Sequence, residues 1–216
     1  MTMTSSPSSR LCDLTVDKFL TALADATPAP GGGSAAALAG ALGGALVAMV
    51  ARLTLDRECY ASVQEEMARV RDHAEALRLC LTALVDADAA AYDRVTAAYR
   101  LPKDTETARF QLAEAIQQAL KVAAEVPLEV AAACADVLGL ASQAVALGNR
   151  NAAGDAAVAA LLAHAGLQGA ARNVRINLAG IQDDAFCLAA GLLAAQLETI
   201  GEQALAETLA AMDAGD

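Results

Sequence analysis

The sequence predicts an all-α, multihelical bundle. No window alternates apolar and polar residues with the period of a strand, whereas long stretches repeat apolar residues at three- and four-residue spacing. Apolar residues make up 56% of the chain and aromatics only 3%, so the interior must be built from Ala, Leu and Val on closely packed helices. With 216 residues the chain is long enough for one domain with a real core. Residues 1–12 read as a flexible N-terminal tail, because Met1–Arg10 is rich in Ser, Thr and Pro and has no apolar run. Residues 13–216 read as one helical domain.

The first helix is expected over Thr15–Ala26, where Val16, Phe19, Leu20 and Leu23 share a face. Pro28 and Pro30 then bar the helical conformation. Gly31, Gly32 and Gly33 follow, free in their backbone angles, and Ser34 stands where an N-cap belongs. The next helix runs from Ser34 to about Leu55, with Leu38, Leu42, Leu46, Met49 and Leu53 on one face. Ala36, Gly40, Gly44 and Ala48 form a small-residue stripe on another, which lets a second backbone approach. This placement puts the stripe near a subunit contact. Glu58–Tyr99 reads as one long helix or two, Leu101–Asp104 as its break, and Asp104 or Thr105 as the next cap. Pro127 predicts a bend or short break. Leu128–Leu147 stops at Gly148-Asn149, Asn149–Asp155 is a polar island, and Asp155 would cap Ala156 onward. Two segments to about Leu178 and a helix over Gln182–Met212 complete the chain.

Charge and composition exclude some functions. A net charge of −11 argues against nucleic acid as a partner. The five cysteines are scattered and the two histidines lie far apart, so no metal is expected and reduced thiols in the cytoplasm fit best. Cys59, Cys80, Cys134 and Cys187 read as small core residues, and His73, beside Arg69, Arg71 and Asp72, as solvated. The charge-free run between Asp25 and Arg52 is long enough to cross a bilayer. Its prolines, its glycines and its Ala/Gly bulk read instead as a buried helix, with no membrane partner.

Asp88 is the sharpest chemical signal. It shares a helical face with Leu81, Leu84, Val85, Ala91, Tyr92 and Val95. Burial there would raise its pKa and suit it to general-acid work. A structural reading, with the carboxyl bonded to a backbone group or an arginine, stands beside it. Asp86 lies about 200° away on an ideal helix and ranks second. Gly31–Ser34 offers amides at a helix N-terminus, either as an anion seat or as a simple cap. Arg172, Asn173, Arg175 and Asn177 crowd together, with the asparagines one helical turn apart. They could bind a ligand, or brace a salt-bridged helix end.

Four segments also carry a family resemblance: PAPGGGSAAALAGALGGALVAMVARLT; Leu84 to Tyr92; Val126-Pro127-Leu128; and Asn173 to Leu178. In this order they resemble the cyclodeaminase/cyclohydrolase family over about residues 13–213. The resemblance implies an intertwined homodimer and a tetrahydrofolate derivative as substrate, with no other cofactor. The reaction would be formiminotetrahydrofolate cyclodeamination or 5,10-methenyltetrahydrofolate cyclohydrolysis. It places a proton donor in the stretch holding Asp86 and Asp88. It implies substrate contacts from Gly31, Gly32, Gly33, Ser34, Asn149, Asp155, Asn173, Arg175 and Asn177. Gly154 departs from the pattern, which usually has a serine before the aspartate. A non-catalytic helical interaction protein on the same scaffold is the rival reading.

Overall fold

The computed structural model describes residues 10–213. Six helices carry the fold: α1 Val16–Ala24, α2 Gly32–Thr54, α3 Gln64–Tyr99, α4 Glu106–Leu147, α5 Ala153–Leu178 and α6 Asp184–Asp213. Short 3-10 turns at Leu11–Asp13, Glu58–Val63 and Arg150–Ala152 join them, and no strand occurs among the described residues. Helix α2 is the axle: it packs against α3, α4 and α5, while α4 reaches on to α6. Ala37, Val47, Ala48, Val50 and Ala51 of α2 are wholly enclosed by own-chain residues such as Leu81, Val137, Leu138 and Ala163. By length and composition α2, α4 and α6 are each apolar enough to cross a membrane.

The local signals explain the boundaries. Thr15 caps α1 by accepting from the Lys18 amide, and Thr105 caps α4 by accepting from Ala108. Gly148 ends α4 as expected. The 3-10 turn Leu11–Asp13, at the end of the stretch read as a tail, lies against α3. The Leu11 amide donates to Asp86 Oδ1 at 2.5 Å, and the Cys12 thiol to the Thr82 carbonyl. Cys134 is buried and Cys187 half-buried, but Cys59 and Cys80 are exposed, so the core reading of those two is corrected.

The small-residue stripe of α2 is used within the chain, not between chains. A Cβ on Gly40 would meet Cys134 of α4 at 2.5 Å, and one on Gly44 would meet the Ala74 carbonyl and Arg78 of α3 at 3.3–3.4 Å. Gly44→Leu should therefore unfold or loosen the single chain, by about 1–3 kcal/mol or more, because α3 cannot retreat from its own core. Denaturant melts would report this, and an unchanged midpoint would refute the packing.

Pro127 does not break its helix: α4 runs through it without interruption. A proline deprives the carbonyl four residues earlier of its helical donor. That carbonyl belongs to Ala123, and Asn177 of α5 donates to it at 2.5 Å. A side chain from a neighbouring helix thus supplies the missing bond.

Candidate active site

The start of α2 meets the middle of α3 at Asp88. Gly31 holds the N-cap position in extended geometry, and its carbonyl accepts from the Ala35 amide at 3.0 Å. Ser34, expected as the cap, is instead the third helical residue and wholly buried. Its hydroxyl has left the helix end for α3, standing 2.9 Å from Asp88 Oδ2 and 3.1 Å from the Val85 carbonyl. Among the described residues no glycine adopts a positive φ, so the glycine run is not explained by unusual backbone angles. Space explains Gly33: a Cβ there would lie 2.0 Å from Asp88 Oδ1. Gly32 has open space around it.

Burial raises the Asp88 pKa, and the Ser34 hydroxyl and amide partly oppose that rise. The hydroxyl has one proton and two acceptors within reach. With Asp88 ionised it donates to the carboxylate. With Asp88 neutral it can donate to the Val85 carbonyl. Both protonation states are satisfied without moving a heavy atom, which suits a group that gives and regains a proton.

Asp88 opens into a cavity of about 210 Å³ between α2, α3, α4 and α5. Gly31, Gly32 and Gly33 form one wall, Tyr92 stands at the mouth, and Asn173 and Asn177 face them beside Ala123. Among the described residues no Lys or Arg lines it. Of the sequence-derived candidates, the cavity thus gathers Asp88, the three glycines and both asparagines, with Ser34 directly behind.

The other candidates lie elsewhere. Asp86 points to the opposite face, where it holds Arg10 at 3.2 Å and the Leu11 amide. Asn149 is buried at the far end of α2, about 30 Å along its axis from Gly33. Its amide nitrogen donates to the Leu53 carbonyl, and its backbone N–H to the Thr54 hydroxyl. Asp155 lies at that same end, inside the first turn of α5 rather than capping it. A larger cavity of about 500 Å³ sits there beside Gly148, Arg150 and Gly154, away from Asp88. Arg175 does not reach the Asp88 cavity, because both its terminal nitrogens grip the Glu198 carboxylate. The pair is half exposed on the arginine side, so it contributes about 0.2–1 kcal/mol. Arg175→Ala should accordingly lower the melting temperature slightly and leave KM unchanged, and a raised KM would return the residue to the site.

Sequence reasoning gave no site role to Tyr92 or Ala123. In the sequence Tyr92 belongs to the apolar stripe and ends the Leu84 to Tyr92 segment. The signal for Ala123 was its position four residues before Pro127.

Comparison with known proteins agrees with this geometry. The family model for formiminotransferase-cyclodeaminase matches residues 15–191. A methenyltetrahydrofolate cyclohydrolase of Methylorubrum extorquens is 44% identical over 172 residues, covering 80% of this chain and 83% of that protein. The mouse formimidoyltransferase-cyclodeaminase is 36% identical over 84% of this chain, which corresponds to 34% of that longer protein. The crystal structure of a formiminotetrahydrofolate cyclodeaminase from Thermotoga maritima superimposes with a TM-score of 0.85 at 31% identity, over 94% of this chain and 97% of that one. The chain belongs to the formiminotransferase-cyclodeaminase family.

Proposed function

We propose that this protein is a folate one-carbon enzyme, a 5,10-methenyltetrahydrofolate cyclohydrolase in which Asp88 is the general acid. The observation that carries the reading is a partly desolvated carboxyl, satisfied in either protonation state by Ser34, beside helix-terminal glycines in an otherwise uncharged cavity. Water adds to the cationic carbon between N5 and N10 and releases one proton to solvent. The neutral carbinol then collapses: Asp88 protonates N5 as the C–N5 bond breaks, and the carbinol proton restores Asp88. The product is 10-formyltetrahydrofolate. The lack of Lys and Arg along the cavity suits a cationic reacting carbon.

Formiminotetrahydrofolate cyclodeamination is the second reading, supported by the Thermotoga fold neighbour. There N10 attacks the formimino carbon, and the same acid protonates departing ammonia. Parallel assays of the two substrates at the methenyl absorbance separate the readings. Hydrolysis of the methenyl compound without ammonia release supports the first. An absence of both activities, with no rise in melting temperature on adding 5-formyltetrahydrofolate, would favour the non-catalytic partner protein.

The same reading includes a homodimer in the cytoplasm. Leu42 and Leu53 on the leucine face of α2 are close to half exposed in the single chain, and Val16 and Leu20 of α1 are exposed as well. A second copy covering the α2 face accounts for it. Sedimentation should show dimers, and Leu42→Asp should give folded monomers. A monomeric wild type overturns this.

A further inference from the structure

We infer that Pro127 is a positioning residue for substrate recognition: by leaving the Ala123 carbonyl without a helical donor, it turns the Asn177 amide so that an acceptor faces the cleft. The argument starts from donor and acceptor inventory. An amide side chain carries a nitrogen that only donates and an oxygen that only accepts. A backbone carbonyl only accepts. The Asn177 nitrogen sits 2.5 Å from the Ala123 carbonyl, so the side chain has one allowed orientation. Its oxygen is left as the free atom of a group that lines the Asp88 cavity. Were residue 127 to have an N–H, that carbonyl would be taken within α4, and the amide could flip.

Asn173 repeats the arrangement one turn earlier. Its nitrogen donates to the Gly169 carbonyl at 3.0 Å, so its oxygen is likewise the unclaimed atom. Among the described residues neither oxygen accepts from the protein. The α5 wall therefore shows two acceptors about 5–6 Å apart at their roots, with the Asp88 carboxyl also on the cavity wall. Such a wall reads a ligand edge bearing adjacent N–H donors and repels an edge of lone pairs. A fused heterocycle with an exocyclic amino group beside a ring N–H fits it. This rests on the folate reading, in which the pterin edge has that pattern, and it makes the α4 proline a specificity determinant acting through α5.

Two measurements test it. The first uses melting alone. Asn177→Asp in the wild-type background places an oxygen against the Ala123 carbonyl and should lower the melting temperature. In a Pro127→Ala background the backbone N–H restored at position 127 occupies that carbonyl, and the same substitution should cost about half as much or less. Equal losses in both backgrounds overturn the clamp. The second measures binding of 5-formyltetrahydrofolate against its analogue with the 2-amino group replaced by methyl. Wild type should prefer the amino compound about 3–10-fold, one hydrogen bond's worth. Pro127→Ala should keep its fold and kcat but lose most of that preference, with KM rising by a similar factor. Asn177→Ala, which deletes the acceptor outright, should lose it as well. Retained preference in either variant overturns the inference. Wild type that binds neither compound overturns the folate reading, while coupling in the melting experiment still decides the clamp.

Discussion

Replacing Asp88 by Asn should lower turnover roughly 10²–10⁴-fold, the usual worth of a positioned general acid. Substrate binding should change little, because the amide keeps the size and can still bond to Ser34. Folding should survive too, and the sign of the pKa shift says why. Burial raises the folded-state pKa above its unfolded value. The carboxyl therefore favours the fold most below the unfolded pKa, and that contribution is lost as pH rises through the folded pKa. Whenever the carboxyl ionises it bears a desolvation cost, and a neutral amide at position 88 does not. The wild-type kcat profile should fall as Asp88 ionises, and that limb should vanish in the mutant. Near-normal turnover of Asp88→Asn, with Asp86→Asn inactive, would move the chemistry to the other face of α3.

Gly33→Ala should be almost as damaging. Its Cβ would stand 2.0 Å from Asp88 Oδ1, far inside the contact distance of a non-bonded carbon and oxygen. Either the first turn of α2 lifts or the carboxyl swings off Ser34. A displacement of about 1 Å at a reacting group can cost 10²-fold. Gly32→Ala is the matched control: the same methyl enters open space, and alanine favours the helix by about 0.5–1 kcal/mol. Turnover and thermal melts of the two variants, measured together, separate steric exclusion from loss of glycine flexibility. If both variants lose thermal stability equally, flexibility rather than space is what the loop requires.

The helices and most of their ends were legible because their causes are local. Apolar periodicity, the Thr105 cap and the Gly148 stop all act within a turn or two of chain. Asp88 was legible as well, since a lone carboxylate on an apolar stripe is visible in the sequence. The misplacements share another cause. Ser34 finds its partner 54 residues away on α3, so its role as a cap could not survive tertiary contact. Pro127 does not interrupt α4 because Asn177, which lies 54 residues from Ala123, bonds the orphaned carbonyl. Arg175 looked free for an anion until Glu198 of α6 was brought beside it. Asn149 and Asp155 look like site residues in one dimension but sit at the opposite end of α2. Partner identity across the bundle, rather than helix location, is what the residues alone withheld.

The Asp86 carboxylate closes a loop of 75 residues when it accepts from the Leu11 amide. Closing so long a loop carries an entropic cost that grows only slowly with length, yet here few polar contacts hold it. This segment should be among the first to open without global unfolding. The Leu11 amide becomes a local reporter: its hydrogen exchange should run faster than that of α2, and Asp86→Asn should quicken it further while α2 protection holds.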